Sequence, residues 1–148
     1  YGHWSAGRYF TTFNDYHFNV DGDGEIIYTR PLDEVPRATY HRNTGSIAIA
    51  LCCCYNARPN DLGEYPPTAA QIETLAKMFA VIAEVFDNPI DREHFMTHGE
   101  AANDDGYGLY SGEPDCRWDL EQLCDQDEIG TGGDILRGKA QWYLENGV

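Results

Sequence analysis

The chain has 148 residues, the length of one ordinary domain that can bury a single sizeable core. Ten Lys and Arg against 25 Asp and Glu leave a net charge of −15, a surface field that repels phosphate backbones and anionic lipid and so argues against nucleic acid and membrane as partners. The longest apolar run, 47–55, falls far short of the roughly 20 residues that cross a bilayer, and no basic segment followed by an apolar one opens the chain.

Residues 2–5 read as a strand, and the polar, aromatic-rich segment behind them is expected to hold a short helix. Tyr16–Val20 and Glu25–Arg30 flank Asp21-Gly-Asp-Gly24, a hairpin signal because Asp-Gly supplies the positive φ angles of tight turns. Asp21, Asp23 and Glu25 also imitate the start of a calcium loop. Its twelfth position, however, would be Leu32 where a bidentate carboxylate is needed, so the turn reading stands. From Pro31 to Gly45, prolines and mixed polar residues predict a long loop, which in a compact domain is usually functional or edge-lining.

Ser46–Cys53 is the most apolar segment, and its near-continuous pattern predicts a central strand covered on both faces, in a sheet with helices on both sides. Five cysteines, three of them consecutive at 52–54, do not form a tidy disulfide framework. They read as buried, reduced thiols, with Cys52 and Cys54 on one side of the strand and Cys53 on the other. A Cys116–Cys124 bridge is not indicated. Thr68 and Gln71 make a capping-box pattern that opens a helix to about Phe86, with Ile72, Leu75, Ala76, Phe79, Ile82, Ala83 and Phe86 on its core face. Asn88-Pro89 ends that helix, a helical turn is expected at 91–94, and Phe95-Met-Thr-His98 reads as another strand. Asp134 is expected to cap a last helix to about Asn146, burying Leu136, Ala140, Tyr143 and Leu144, with Gly147 just past its end.

Chemistry concentrates in Phe95–Gly108 and the nearby Asp115-Cys-Arg-Trp-Asp119, which pack a His, several carboxylates, a Cys and an Arg into a short span. A second His, His3, ends another short apolar run. Zinc sites are commonly assembled from two such strand ends and a third ligand, which Asp115, Cys116 and Asp119 all offer here.

Five features occur in one order: His3-Trp-Ser-Ala, Tyr16-His-Phe-Asn-Val with the Asp-Gly hairpin, Asn43-Thr-Gly-Ser-Ile-Ala-Ile-Ala-Leu51, Pro67-Thr-Ala-Ala-Gln71, and Thr97-His98 followed by a basic-x-Asp triplet. In this the chain, over roughly 1–146, resembles the zinc N-acetylmuramoyl-L-alanine amidases of the amidase-2 class. That class shares its fold with peptidoglycan recognition proteins and short phage lysozyme-type amidases. The resemblance implies an α/β fold in a single domain over 1–148, with a central mixed β-sheet flanked by helices on both sides. It also implies Zn2+ held by His3, His98 and one further ligand. Two neutral imidazoles and one anionic ligand leave the metal acidic enough to bring its water pKa to roughly 7.

Matching on the basic residue two positions ahead makes Asp119 the third ligand. Matching on the aromatic-Asp pair would instead give Asp115, and some relatives place a Cys there. Tyr16 falls where phage amidases carry a Tyr near the metal, while the Glu that other members use on the middle strand is replaced by Ala50. Arg117 stands where the family usually has a Lys that donates to the developing oxyanion. An Arg can stabilise that charge but, permanently protonated, does not act as a general acid. His41 is a weak match to a loop His that lines the cleft. Glu100 has the spacing to orient a metal ligand, and the inserted 104–112 segment, rich in Gly and Tyr, is expected to form a lip of the cleft. The implied substrate is peptidoglycan, cut at the amide between N-acetylmuramic acid and L-alanine at the bacterial cell wall. The alternatives are a recognition module of the same fold that binds without cutting and a zinc hydrolase of another amide.

Overall fold

A computed structural model describes residues 1–148. Four short strands, β1 (Gly2–Trp4), β2 (Phe18–Val20), β3 (Ile26–Tyr28) and β4 (Ile49–Leu51), form one mixed sheet in the order β1-β4-β2-β3. β4 lies parallel to both β1 and β2, and the β2–β3 hairpin is antiparallel across the Asp21–Gly24 turn. The central position expected for 46–53 is therefore occupied by β4, whose three residues are fully buried.

Register sorts the sheet into two faces. His3, Ala50 and Asn19 stand side by side on one, and Ile49, Leu51 and Val20 belong to the hydrophobic core on the other. That core is closed by α1 (Ala69–Phe86), against which α3 (Gly132–Asn146) packs. The capping box at Thr68 and Gln71 forms as the sequence predicts, and buried Gln71 also donates to the Val20 and Cys52 carbonyls, tying the helix start to two strand ends. On the opposite face, cover comes from the first turn of α2 (His98–Asp105) and from the loop 31–45.

Several expectations are corrected. The segment 6–15 holds no helix. Its backbone groups bond to hairpin side chains instead: Asp21 accepts from the Phe10 N–H, and Asn19 pairs with both the N–H and the carbonyl of Phe13. Phe95–His98 is not a strand, because only Thr97 makes an isolated bridge to Gly2 before the chain turns into α2. Thr97 and Glu100 form a second capping box there, a signal present in the sequence but overridden by the apolar run before it. α3 starts before Asp134, which sits in its first turn and pairs with Arg137. Phe86 and Leu144 are exposed at the ends of their helices. All five cysteines are free, with 52–54 buried as expected.

The junction of α2 and α3 needs glycine. A Cβ on Gly133 would lie 2.4 Å from Glu100 Oε1, and one on Gly99 would lie 2.5 Å from Glu121 Cγ. Closeness here lets Glu100 form a buried ion pair with Arg137 at 2.7 Å. Glu100 thus serves the helix cap and this pair, so it does not orient a metal ligand.

Candidate metal centre

His3 enters the site from the middle of β1, whose neighbour on the same face is Ala50. His98 is the first residue of α2, held at the sheet edge by the Thr97 bridge and cap. Asp119 arrives from the loop before α3 and is fixed twice. The Trp4 N–H donates to its Oδ2 at 3.3 Å, and the Gly99 N–H, in the first turn of α2, donates to its carbonyl at 3.1 Å. Leu120, next in the chain, is buried with φ of 61°, a conformation that costs a non-glycine residue on the order of 1 kcal/mol and that holds the turn after Asp119.

The three side chains converge. His3 Nδ1 and His98 Nδ1 lie 3.3 Å apart, and Asp119 Oδ2 is 3.6 Å and 3.5 Å from them. All three residues are buried. Donors about 2.0–2.1 Å from one tetrahedral zinc ion sit about 3.3–3.4 Å from one another, so this spacing and this donor set fit a single zinc. Each imidazole is also held by its other nitrogen: the Thr39 hydroxyl lies 3.3 Å from His3 Nε2, and the Tyr107 hydroxyl lies 3.3 Å from His98 Nε2. These two hydroxyls went unread as site residues in the sequence. Thr39 carries no motif, and Tyr107 was visible only as part of the inserted lip.

Burial lowers the His3 pKa to about 4, which keeps its ring neutral and its lone pairs available over the ordinary pH range. Burial alone would raise the Asp119 carboxyl, but the two imidazoles more than offset it and hold it well below the usual carboxylate range. Two imidazoles and one carboxylate are a donor set found at catalytic zinc.

Tyr16 stands beside the centre, its ring 5.2 Å from that of His3, and burial followed by the Asp119 charge pushes its phenol far above its ordinary value. It is a neutral hydroxyl at any working pH. Arg117 is exposed and folds its guanidinium onto the carbonyls of Asp115 and Cys116 at 3.3 Å. Asp115 is exposed, and neither it nor Cys116 belongs to the His3–His98–Asp119 group. His41 is also exposed and stacks on Tyr40, lining a small cleft with Arg42, Asp105 and Tyr107.

Two open lobes meet at this centre. One, of about 800 Å³, runs past Thr39, Tyr107 and Glu113; the other, of about 550 Å³, runs past Tyr16, Tyr55 and Trp118. Arg37, Ala38, His98 and Arg117 line both and form the waist between them.

The α/β domain thus carries a buried His–His–carboxylate group, opening on the cleft through His98 and Asp119, that could hold a metal ion. The N-acetylmuramoyl-L-alanine amidase family, Amidase_2, matches residues 3–109, more than half of the chain, and the chain belongs to that family. The match takes in His3, Tyr16 and His98 and ends before Asp119, whose place in the centre is given by the geometry. Searches of curated proteins and of solved structures returned no match.

Proposed function

We propose that the protein is a zinc-dependent amidase that cleaves the bond between N-acetylmuramic acid and L-alanine in peptidoglycan. The observation that carries this reading is the 3.3–3.6 Å spacing of His3 Nδ1, His98 Nδ1 and Asp119 Oδ2, close to the separation that donors to one tetrahedral zinc would have. Zinc supplies Lewis acidity toward water and toward a carbonyl oxygen. The residues do the rest. His3 and His98 offer their Nδ1 atoms, Asp119 supplies the one negative charge, and Thr39 and Tyr107 fix the ring orientations. Tyr16 sets its ring beside His3, and its neutral hydroxyl is the donor assigned to the charge that develops on the carbonyl oxygen. Arg117 adds a permanent positive charge at the waist.

A module that only binds peptidoglycan has no need of three converging buried metal donors, and their presence favours the enzyme. Soluble fragments test the bond. A muramoyl peptide should be split into sugar and peptide, while the same peptide lacking the muramic acid should remain intact. Cleavage of both would assign the protein to hydrolysis of another amide.

A further inference from the structure

Resting on the amidase reading above, we propose that Arg37 is a substrate-selecting residue that binds the carboxylate on the second residue of the stem peptide. Arg37 and Arg117 are the arginines that line both lobes of the cleft, in a chain whose net charge is −15. Of the other cations, Arg42–Asp105, Arg92–Asp104, Arg137–Glu100 and Lys139–Glu73 hold N···O distances of 2.7–2.8 Å, while Arg8, Arg30, Arg58 and Lys77 line neither lobe. The nearest carboxylate to Arg37, Asp15, is 3.6 Å from Nε, beyond hydrogen-bond reach, with the Arg37 side chain largely exposed and that of Asp15 partly so. Arg117 spends donors on its own loop.

The backbone that presents Arg37 is held on both sides. Its N–H donates to the Asp15 carbonyl at 2.9 Å, and Asn43 Oδ1 accepts from the N–H groups of Ala38 and Thr39 at 3.0 and 2.7 Å. Thr39, two residues on, touches His3, so the guanidinium leaves from a segment registered to the centre. A fork of this kind, with open donors on a fixed stem, matches a carboxylate.

Substrate chemistry decides which carboxylate. The muramic acid carboxyl is consumed in the scissile amide, so the sugar side offers no anion. The aromatic lobe at Tyr16, Tyr55 and Trp118 suits that uncharged side. An anion that reaches Arg37 at the waist then comes from the peptide.

The test uses two muramoyl-L-alanyl compounds, one with a free carboxylate on its second residue and one with that carboxylate amidated. Calorimetry on the full chain under chelator measures binding without turnover, and zinc-loaded protein gives the ratio of kcat/KM for the pair. The wild-type chain is expected to bind the acid about 10-fold or more tightly than the amide, the scale of one charge-assisted hydrogen-bonded pair. Arg37→Gln should bind both alike, and Arg37→Lys should retain part of the preference. Arg37 is exposed, so thermal unfolding should show both variants folded. Equal binding by the wild type, binding of neither compound, or a preference that survives in Arg37→Gln would overturn the proposal. An Arg37-dependent preference without cleavage of either compound by the zinc-loaded chain would support Arg37 and overturn the amidase reading alone.

Discussion

His3 and His98, separated by 95 positions in the chain, present their Nδ1 atoms to each other at 3.3 Å, and each fixes its Nε2 against a hydroxyl. Neither contact is local. Strand β1 brings the first ring and the start of α2 the second, and the Thr97–Gly2 bridge sets their relation.

The first prediction follows from that convergence. His3→Ala, His98→Ala and Asp119→Ala should each lose stoichiometric zinc, while Cys116→Ser and Asp115→Asn should keep it, as measured by metal analysis of the purified proteins. A full equivalent of zinc in Asp119→Ala, with loss in Cys116→Ser, would move the third ligand to Cys116.

Thr39→Val and Tyr107→Phe remove the hydroxyls that orient the two rings but leave the donor atoms in place. Zinc affinity, read by competition with a chromogenic chelator, should fall by about 10–100-fold in each. Unchanged affinity would mean that packing alone sets the ring orientations.

Tyr16→Phe should keep zinc and fold but slow turnover by roughly 10²-fold, the effect of losing one positioned donor to the developing charge. Arg117→Ala should be similarly slow, with part of the rate restored in Arg117→Lys. Wild-type turnover in Tyr16→Phe would return that ring to a packing role.

The metal-free protein should lose stability on acidification through its own site. His3 is lowered from 6.5 to about 4 on folding, so between those values the unfolded chain binds the extra proton. The stability contributed by the neutral ring is complete above about pH 6.5 and is lost as pH falls toward 4. Asp119, held below its ordinary range, adds a loss at still lower pH. The His3 contribution gives a slope of up to about 1.4 kcal/mol per pH unit in that window. Urea unfolding of wild type and His3→Gln at several pH values measures it, and parallel pH dependence in the two proteins would contradict the assignment.

Arg137→Met should be strongly destabilising, by about 3–5 kcal/mol, because Glu100 would be left buried without its partner. Chemical denaturation gives the value directly. A cost under about 1 kcal/mol would show that Arg92, 3.5 Å from Glu100, takes over the pairing.

What the sequence disclosed was what short-range chemistry determines. Asp21–Gly24 announces a hairpin, Thr68–Gln71 a helix start and 46–53 a buried strand, because each signal lies within a few residues. The same box at Thr97–Glu100 was masked by Phe95 and Met96, whose burial comes from the α1 side and the sheet edge instead of from a strand ladder. The helix expected in 6–15 failed because Asn19 and Asp21, on another element, claim that segment's backbone groups. His3, Tyr16 and His98 were legible through the family pattern. The sequence leaves Asp119 as one of three candidates, and it is the fold that brings its carboxylate within 3.6 Å of both imidazoles. Thr39 and Arg37 were illegible because their positions depend on Asn43 folding the loop back on itself.

The most direct test of the zinc amidase account is mass spectrometry of purified peptidoglycan after incubation with the protein, in zinc and in chelator. The account predicts free stem peptides beginning with L-alanine and glycan strands left intact, produced with zinc and abolished by chelation. Cuts within the glycan or within the stem, or release that persists undiminished in chelator, would contradict it.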